Sequence, residues 1–157
     1  MLLAKRALNE RLGNEAAEWA VTQLELGFDG KYLRQLAGVL GDENPFELAE
    51  LFDRCVRELG LRLTKTESIV LVYAQELCGA FAQGIIGRDY LVYRLYCLCT
   101  AHSMRLELFP FYLLYFTLDD LKERGFSFYR REATPENFDR LLQEEIEKLM
   151  AVAIEEA

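Results

Sequence analysis

Histidine occurs once in the 157 residues, tryptophan once and proline three times, and no stretch thins into a low-complexity linker or repeats itself. A single histidine confines the commonest general base and metal ligand to one position. A phosphate-cradling P-loop, a dinucleotide glycine fingerprint and a serine-nucleophile elbow are all missing, and the glycines fall where helices stop. Alternating polar and apolar strands bounded by hairpin turns are missing too, whereas helix punctuation is frequent. The expected fold class is all-α. The apolar run Leu108 to Leu118 has 11 residues, and crossing about 30 Å of hydrocarbon needs roughly 20. It reads as core, and no membrane partner is expected. The start, Met1-Leu2-Leu3-Ala4-Lys5-Arg6, lacks the basic-then-apolar order of a signal peptide. The expected compartment is the cytoplasm, where Cys55, Cys78, Cys97 and Cys99 read as reduced, buried thiols.

What is present is a globular balance: 52% apolar and 28% charged residues, on a chain long enough to bury a core without staples. The formal charge is −8, from 18 basic and 26 acidic groups. Such a chain repels phosphate backbones and anionic headgroups over roughly a Debye length of 8 Å. Nucleic acid is therefore not an expected partner. Half of the net charge sits on the last 32 residues, with 4 basic and 8 acidic groups.

Six to seven helices in a single compact bundle spanning residues 1–157 are expected. The clearest is "NPFELAELFDRCVRELG". Asn44 can accept from free backbone N–H groups, Pro45 suits the first helical position, and Gly60 suits the left-handed close. Upstream, Asn14 to Leu26 stops at Gly27, and Asp29 caps a shorter helix ending at Gly38; the two form a helical hairpin. Thr64 and Glu67 make a capping-box pair before a central apolar helix through Leu77 and Ala80. Asp89 caps "YLVYRLYCLCTA", apolar almost all round and hence a second central helix. Phe109 to Phe116 suits either strand or helix, and Pro110 followed by leucines favours helix; Asp119 to Arg124 adds a short helical turn. Thr134-Pro135-Glu136 opens the last helix, whose apolar stripe from Phe138 to Leu149 opposes an acidic face.

Chemistry-bearing constellations are few. Cys97 and Cys99 lie about 200° apart around a helix and cannot share a face, so only Cys99 and His102 could converge. Buried thiols and a hydrogen-bonded histidine account for that cluster without a metal. Asp119/Asp120 and Glu144/Glu145 are adjacent pairs whose side chains diverge, unlike the held carboxylate pair of a glycosidase. Arg94 and Glu76, inside apolar helices, call for a structural ion pair. No enzymatic activity and no cofactor are expected. The acidic face carrying Glu136, Asp139, Glu144 and Glu147 reads either as a solvated helix surface or, functionally, as a docking surface for a basic protein, because complementary charge speeds association.

Within residues 18–61, Trp19 and Ala20 precede Leu24, Gly27 and Asp29. Arg34, Leu36, Ala37 and Gly38 then lead into the Asn44-capped helix. This Trp-Ala…Leu-Arg-x-Leu-Ala-Gly pattern resembles small all-helical bacterial proteins of uncharacterised function, which are loosely similar to immunity and accessory proteins of bacterial toxin systems. The resemblance implies a non-enzymatic domain that binds and neutralises a toxin, with an acidic helical surface as the contact; a monomer or homodimer is expected. The other reading of the residues is a small-ligand or regulatory domain whose aromatic segment Tyr90 to Phe116 lines an apolar pocket.

Overall fold

A computed structural model describes residues 1–39, 41, 44–61 and 68–154. Among these there are eight helices and no strand, in two compact units, Met1–Ile69 and Val70–Ala157. The all-α class holds, and the count exceeds the six to seven read from sequence. The additional helix is α1 (Leu2–Ala7), which has no side-chain cap and only 6 residues, so no local signal announces it. Its Leu2, Ala4 and Ala7 are buried all the same. The segments Phe109 to Phe116 and Asp119 to Arg124 run together as one helix. The Thr117 hydroxyl between them turns back to donate to the Leu113 carbonyl at 2.8 Å, so it does not interrupt the ladder.

Unit 1 holds α1, α2 (Glu15–Glu25), α3 (Lys31–Ala37) and α4 (Pro45–Glu58). α4 begins as its sequence dictates: Asn44 Oδ1 accepts from the Phe46 N–H at 3.0 Å, and Pro45 takes the first turn. It buries Leu48, Phe52, Cys55 and Val56 against Ala16, Ala20, Leu33 and Leu36 of α2 and α3. Trp19 packs its ring on Phe52, centroids 5.2 Å apart. Arg6 of α1 is clamped to α4 by two hydrogen bonds to the Asp53 carboxylate, at 2.8 and 2.7 Å.

Asp29 does not cap α3. The cap position is Gly30, which has no side chain to accept a bond, and Asp29 is paired with Arg34 instead. The free N–H groups are met from another helix: Glu58 Oε1 accepts from Lys31 N at 2.8 Å, and Oε2 from Tyr32 N at 3.0 Å and Leu33 N at 3.2 Å. A carboxylate at the end of α4 suits the positive end of α3 better than the negative end of its own helix.

Unit 2 holds most of α5 (Ser68–Ala82), with α6 (Arg88–Ala101), α7 (Phe109–Arg124) and α8 (Phe138–Met150). Its core is built from Leu77, Leu91, Leu95, Phe111, Leu114 and Phe138, with neighbours of the same kind. α7 closes at Gly125, φ +78°, the left-handed conformation that glycine adopts without a Cβ penalty. The end of α8 is closed from α5, where Gln75 Nε2 donates to the Leu149 and Val152 carbonyls at 2.9 and 3.0 Å. Two sequence-read starts move. Gly87 takes the cap position of α6, and Asp89 lies inside the first turn, bonded to Arg88 and Lys122. α8 begins at Phe138, after a turn in which Thr134 and Asn137 bond reciprocally, at 2.8 and 3.3 Å. The Thr64/Glu67 pair lies outside the described residues.

Candidate partner-binding surface

The four carboxylates singled out in the sequence do not form one patch. Glu136 is exposed in the turn ahead of α8, so it is not on the helix. Glu144 and Glu147 share the outward face of α8, whereas Asp139 is about 80° and 140° away around the axis from Glu147 and Glu144, at 100° per residue. Asp139 Oδ1 accepts from Arg88 Nη1 at 3.0 Å, Glu144 is paired with Arg140, and Glu147 accepts from Gln143 at 3.1 Å. Two of the four charges are thus balanced locally. Arg88, Asp139, Asp89, Tyr90, Phe81 and Leu142 border an open cleft of about 580 Å³.

The aromatic residues make the larger feature. α6 buries Leu91, Val92, Leu95, Leu98 and Cys99, and turns Tyr90 and Tyr93 outward, 50% and 48% exposed. It is not apolar all round in the sense the sequence suggests, because a tyrosine keeps its hydroxyl in water while its ring packs. α7 buries Phe111, Leu114, Thr117, Leu118 and Leu121. At 100° per residue the opposite face carries Phe109, Tyr112, Phe116, Asp119 and Glu123, within an arc of about 80°. That face is aromatic in its first half and acidic in its second.

Between the two helices the rings stack. Phe109 lies on Tyr112 with centroids 5.7 Å apart and planes 10° apart, Tyr112 on Tyr96 at 5.6 Å and 27°, and Tyr96 on Tyr115 at 4.2 Å and 18°. Four nearly parallel rings form a column. Phe116 meets Tyr96 and Tyr112 edge-on and carries the surface on to Tyr129 at 5.1 Å. Tyr96, Tyr112, Tyr115 and Phe116 are each half-buried, and Phe126 and Phe128 stand exposed in the next loop, ring to ring at 5.3 Å. The loop is held in place where Asp120 Oδ2 accepts from Ser127 Oγ at 3.1 Å. An exposed apolar patch of contiguous side chains marks an interaction surface far more often than isolated exposed residues do.

Compared with family models, curated proteins and solved structures, the chain matches none. Among the described residues, no helix is long and apolar enough to cross a membrane, and no three His, Cys, Asp or Glu side chains gather in a metal-binding set.

The thiols are placed for packing. Cys55, Cys78 and Cys99 are buried and Cys97 half-buried, and all four are free. Burial pushes the Cys78 thiol up to about 12 and, with the nearby Glu58 charge adding to it, Cys55 up to about 11. Burial raises Cys99 as well. A thiol held protonated is a poor nucleophile and a poor metal ligand. Cys99 Sγ faces Met104 Sδ and the Arg105 carbonyl at 4.0 Å each, and His102 is the half-buried residue that ends α6.

The ring column is the feature the sequence reading misses. Its signal was available: the positions 109, 112, 116, 119 and 123 repeat at helical spacing opposite the apolar set 111, 114, 118 and 121. Counting tyrosine as an interior residue hides it.

Proposed function

We propose that this chain is a non-enzymatic protein-binding domain of the immunity type, which binds a basic toxin in the cytoplasm and neutralises it. The observation that carries the reading is the half-exposed aromatic face of α6 and α7. Tyrosine-rich surfaces supply large, rigid contact area at low entropic cost, and they are enriched where proteins dock. The net charge of −8 adds long-range attraction for a basic partner, to which Glu136, Asp139, Glu144 and Glu147 contribute, and such charge governs association rate more than affinity. The pattern of Trp19, Arg34 and Gly38 resembles small helical bacterial proteins that are loosely similar to immunity proteins, and such a role is in keeping with it. The test pairs the chain with the product of the gene beside its own. Protection of cells from that product, and binding of the two purified proteins, are expected; failure of both overturns the reading.

The cleft bordered by Arg88, Tyr90 and Asp139 favours a second reading, a small-ligand or regulatory domain. Its volume of about 580 Å³ lies in the range of ligand sites, roughly 300–1,000 Å³. Thermal stabilisation of the purified chain by a metabolite, lost in Tyr90→Ala, would favour it over the first.

A further inference from the structure

We propose that the ring column of α6 and α7 is the contact surface itself, and that it seats arginine side chains of a basic partner protein. This rests on the protein-binding reading above and names the chemistry that surface selects.

The rings of Phe109, Tyr112, Tyr96 and Tyr115 are parallel to within 10–27° from one to the next. With centroids 5.6–5.7 Å apart, Phe109, Tyr112 and Tyr96 are offset and do not cover one another fully, so another flat group can settle on the part of a ring face left open. Guanidinium is flat, weakly hydrated and attracted to aromatic faces, whereas the lysine ammonium is a compact and strongly hydrated point charge. Further along the same face of α7, Asp119 and Glu123 are exposed, and neither is in an ion pair with another described residue. A carboxylate takes a guanidinium through two parallel hydrogen bonds, so the face offers both a stacking platform and a counter-charge. The chain already uses the first of these contacts internally: Arg54 lies over the Tyr32 ring and Arg88 over the Phe138 ring, each 5.7 Å from the centroid.

Other occupants fit less well. A second copy or any acidic protein brings a charge of the same sign as this chain's −8, and the repulsion opposes contact. A purely aliphatic surface would bury any tyrosine hydroxyl on this face that reaches water without bonding it, which is costly.

The full chain is titrated, at physiological ionic strength, with a short peptide alternating arginine and glycine and with its lysine counterpart, while the tyrosine ring signals are followed by NMR. The arginine peptide is expected to shift Tyr96, Tyr112 and Tyr115 and to bind at least about threefold more tightly than the lysine peptide, in keeping with the guanidinium preference. Tyr112→Leu should weaken binding by about tenfold, Tyr112→Phe by less than about twofold because the ring remains, and Asp119→Asn with Glu123→Gln by several-fold. Equal binding of the two peptides, or no ring shifts with either, overturns the proposal; so do shifts confined to Glu136, Asp139, Glu144 and Glu147. If Tyr112→Leu fails to fold, the ring shifts of the unaltered chain decide. Arginine seated on the rings of a chain that neither binds nor counters the neighbouring toxin overturns the proposed function and leaves this surface. Protection that survives in a folded Tyr112→Leu does the reverse.

Discussion

Gly30 and Glu58 form a pair whose energetics can be worked out before any measurement. Three N–H groups of α3 point at the Glu58 carboxylate, at 2.8–3.2 Å. Truncation by Glu58→Ala returns those donors to water and removes a negative charge from a helix N-terminus. Losing a side-chain cap costs about 0.5–2 kcal/mol and losing the dipole interaction about 0.3–1 kcal/mol, so a loss of about 1–2 kcal/mol is expected at this exposed site. Gly30 has φ −177° and ψ 157°, extended backbone open to any residue. A Cβ placed there would nevertheless meet Glu58 Oε2 at 2.1 Å and Cδ at 2.4 Å. Gly30→Ala therefore expels the carboxylate and costs nearly as much as Glu58→Ala. In the Glu58→Ala background the obstacle is gone; the unfolded chain's lost freedom, about 0.4–1 kcal/mol, then roughly offsets the poor rank of alanine at a cap position, and the same substitution should be close to neutral. The cost disappears in that background, a coupling of about 1–2 kcal/mol, within the range neighbouring residues show. Trp19, the only tryptophan, packs on Phe52 in the same unit, so its fluorescence during urea unfolding reports on unit 1. Equal destabilisation by Gly30→Ala in both backgrounds would refute the cross-helix cap.

In unit 2, Glu145 is 5% exposed and accepts from Arg130 and Lys148 at 3.0 Å each. Arg130→Met leaves a buried carboxylate with one partner and should cost about 2 kcal/mol, less than a full break because Lys148 stays; Glu145→Leu added to it should recover most of the loss in a circular-dichroism titration. The bond from Lys122, helped by Arg88 against partial burial, holds Asp89 below its ordinary value of 3.8. Its contribution is therefore complete above that value and disappears as pH falls through the depressed one, and Asp89→Asn should flatten that part of the acid-unfolding curve. At pH 8 a thiol reagent should label Cys97 first in the native protein and reach Cys55, Cys78 and Cys99 only on unfolding; rapid labelling of Cys99 would contradict its burial.

What can be read from sequence here is what is local in sequence. Asn44, Pro45 and Gly60 bracket α4 because a cap, a first-turn proline and a left-handed close act on their nearest neighbours. Asp29 looks like a cap for the same reason, yet the cap of α3 comes from Glu58, and the end of α8 is closed by Gln75, more than seventy residues away. No periodicity encodes those partners. The acidic character of the last helix is legible, but the arginine that balances Asp139 lies in α6, 51 residues earlier in the chain. The aromatic face was hidden for a different reason: tyrosine counts as apolar in a pattern, and only packing tells whether its hydroxyl end reaches water.

Rings left open on α6 and α7 would be adhesive between like molecules, and an excess of carboxylates opposes that adhesion by like-charge repulsion. The sequence pI is about 4.8. Acidified toward that point, or placed in concentrated salt, the molecule loses its colloidal protection while its aromatic face persists. Light scattering should then rise in wild type and far less in a variant whose rings have been trimmed, so the solubility of this chain is itself a reporter of how much of that face is uncovered.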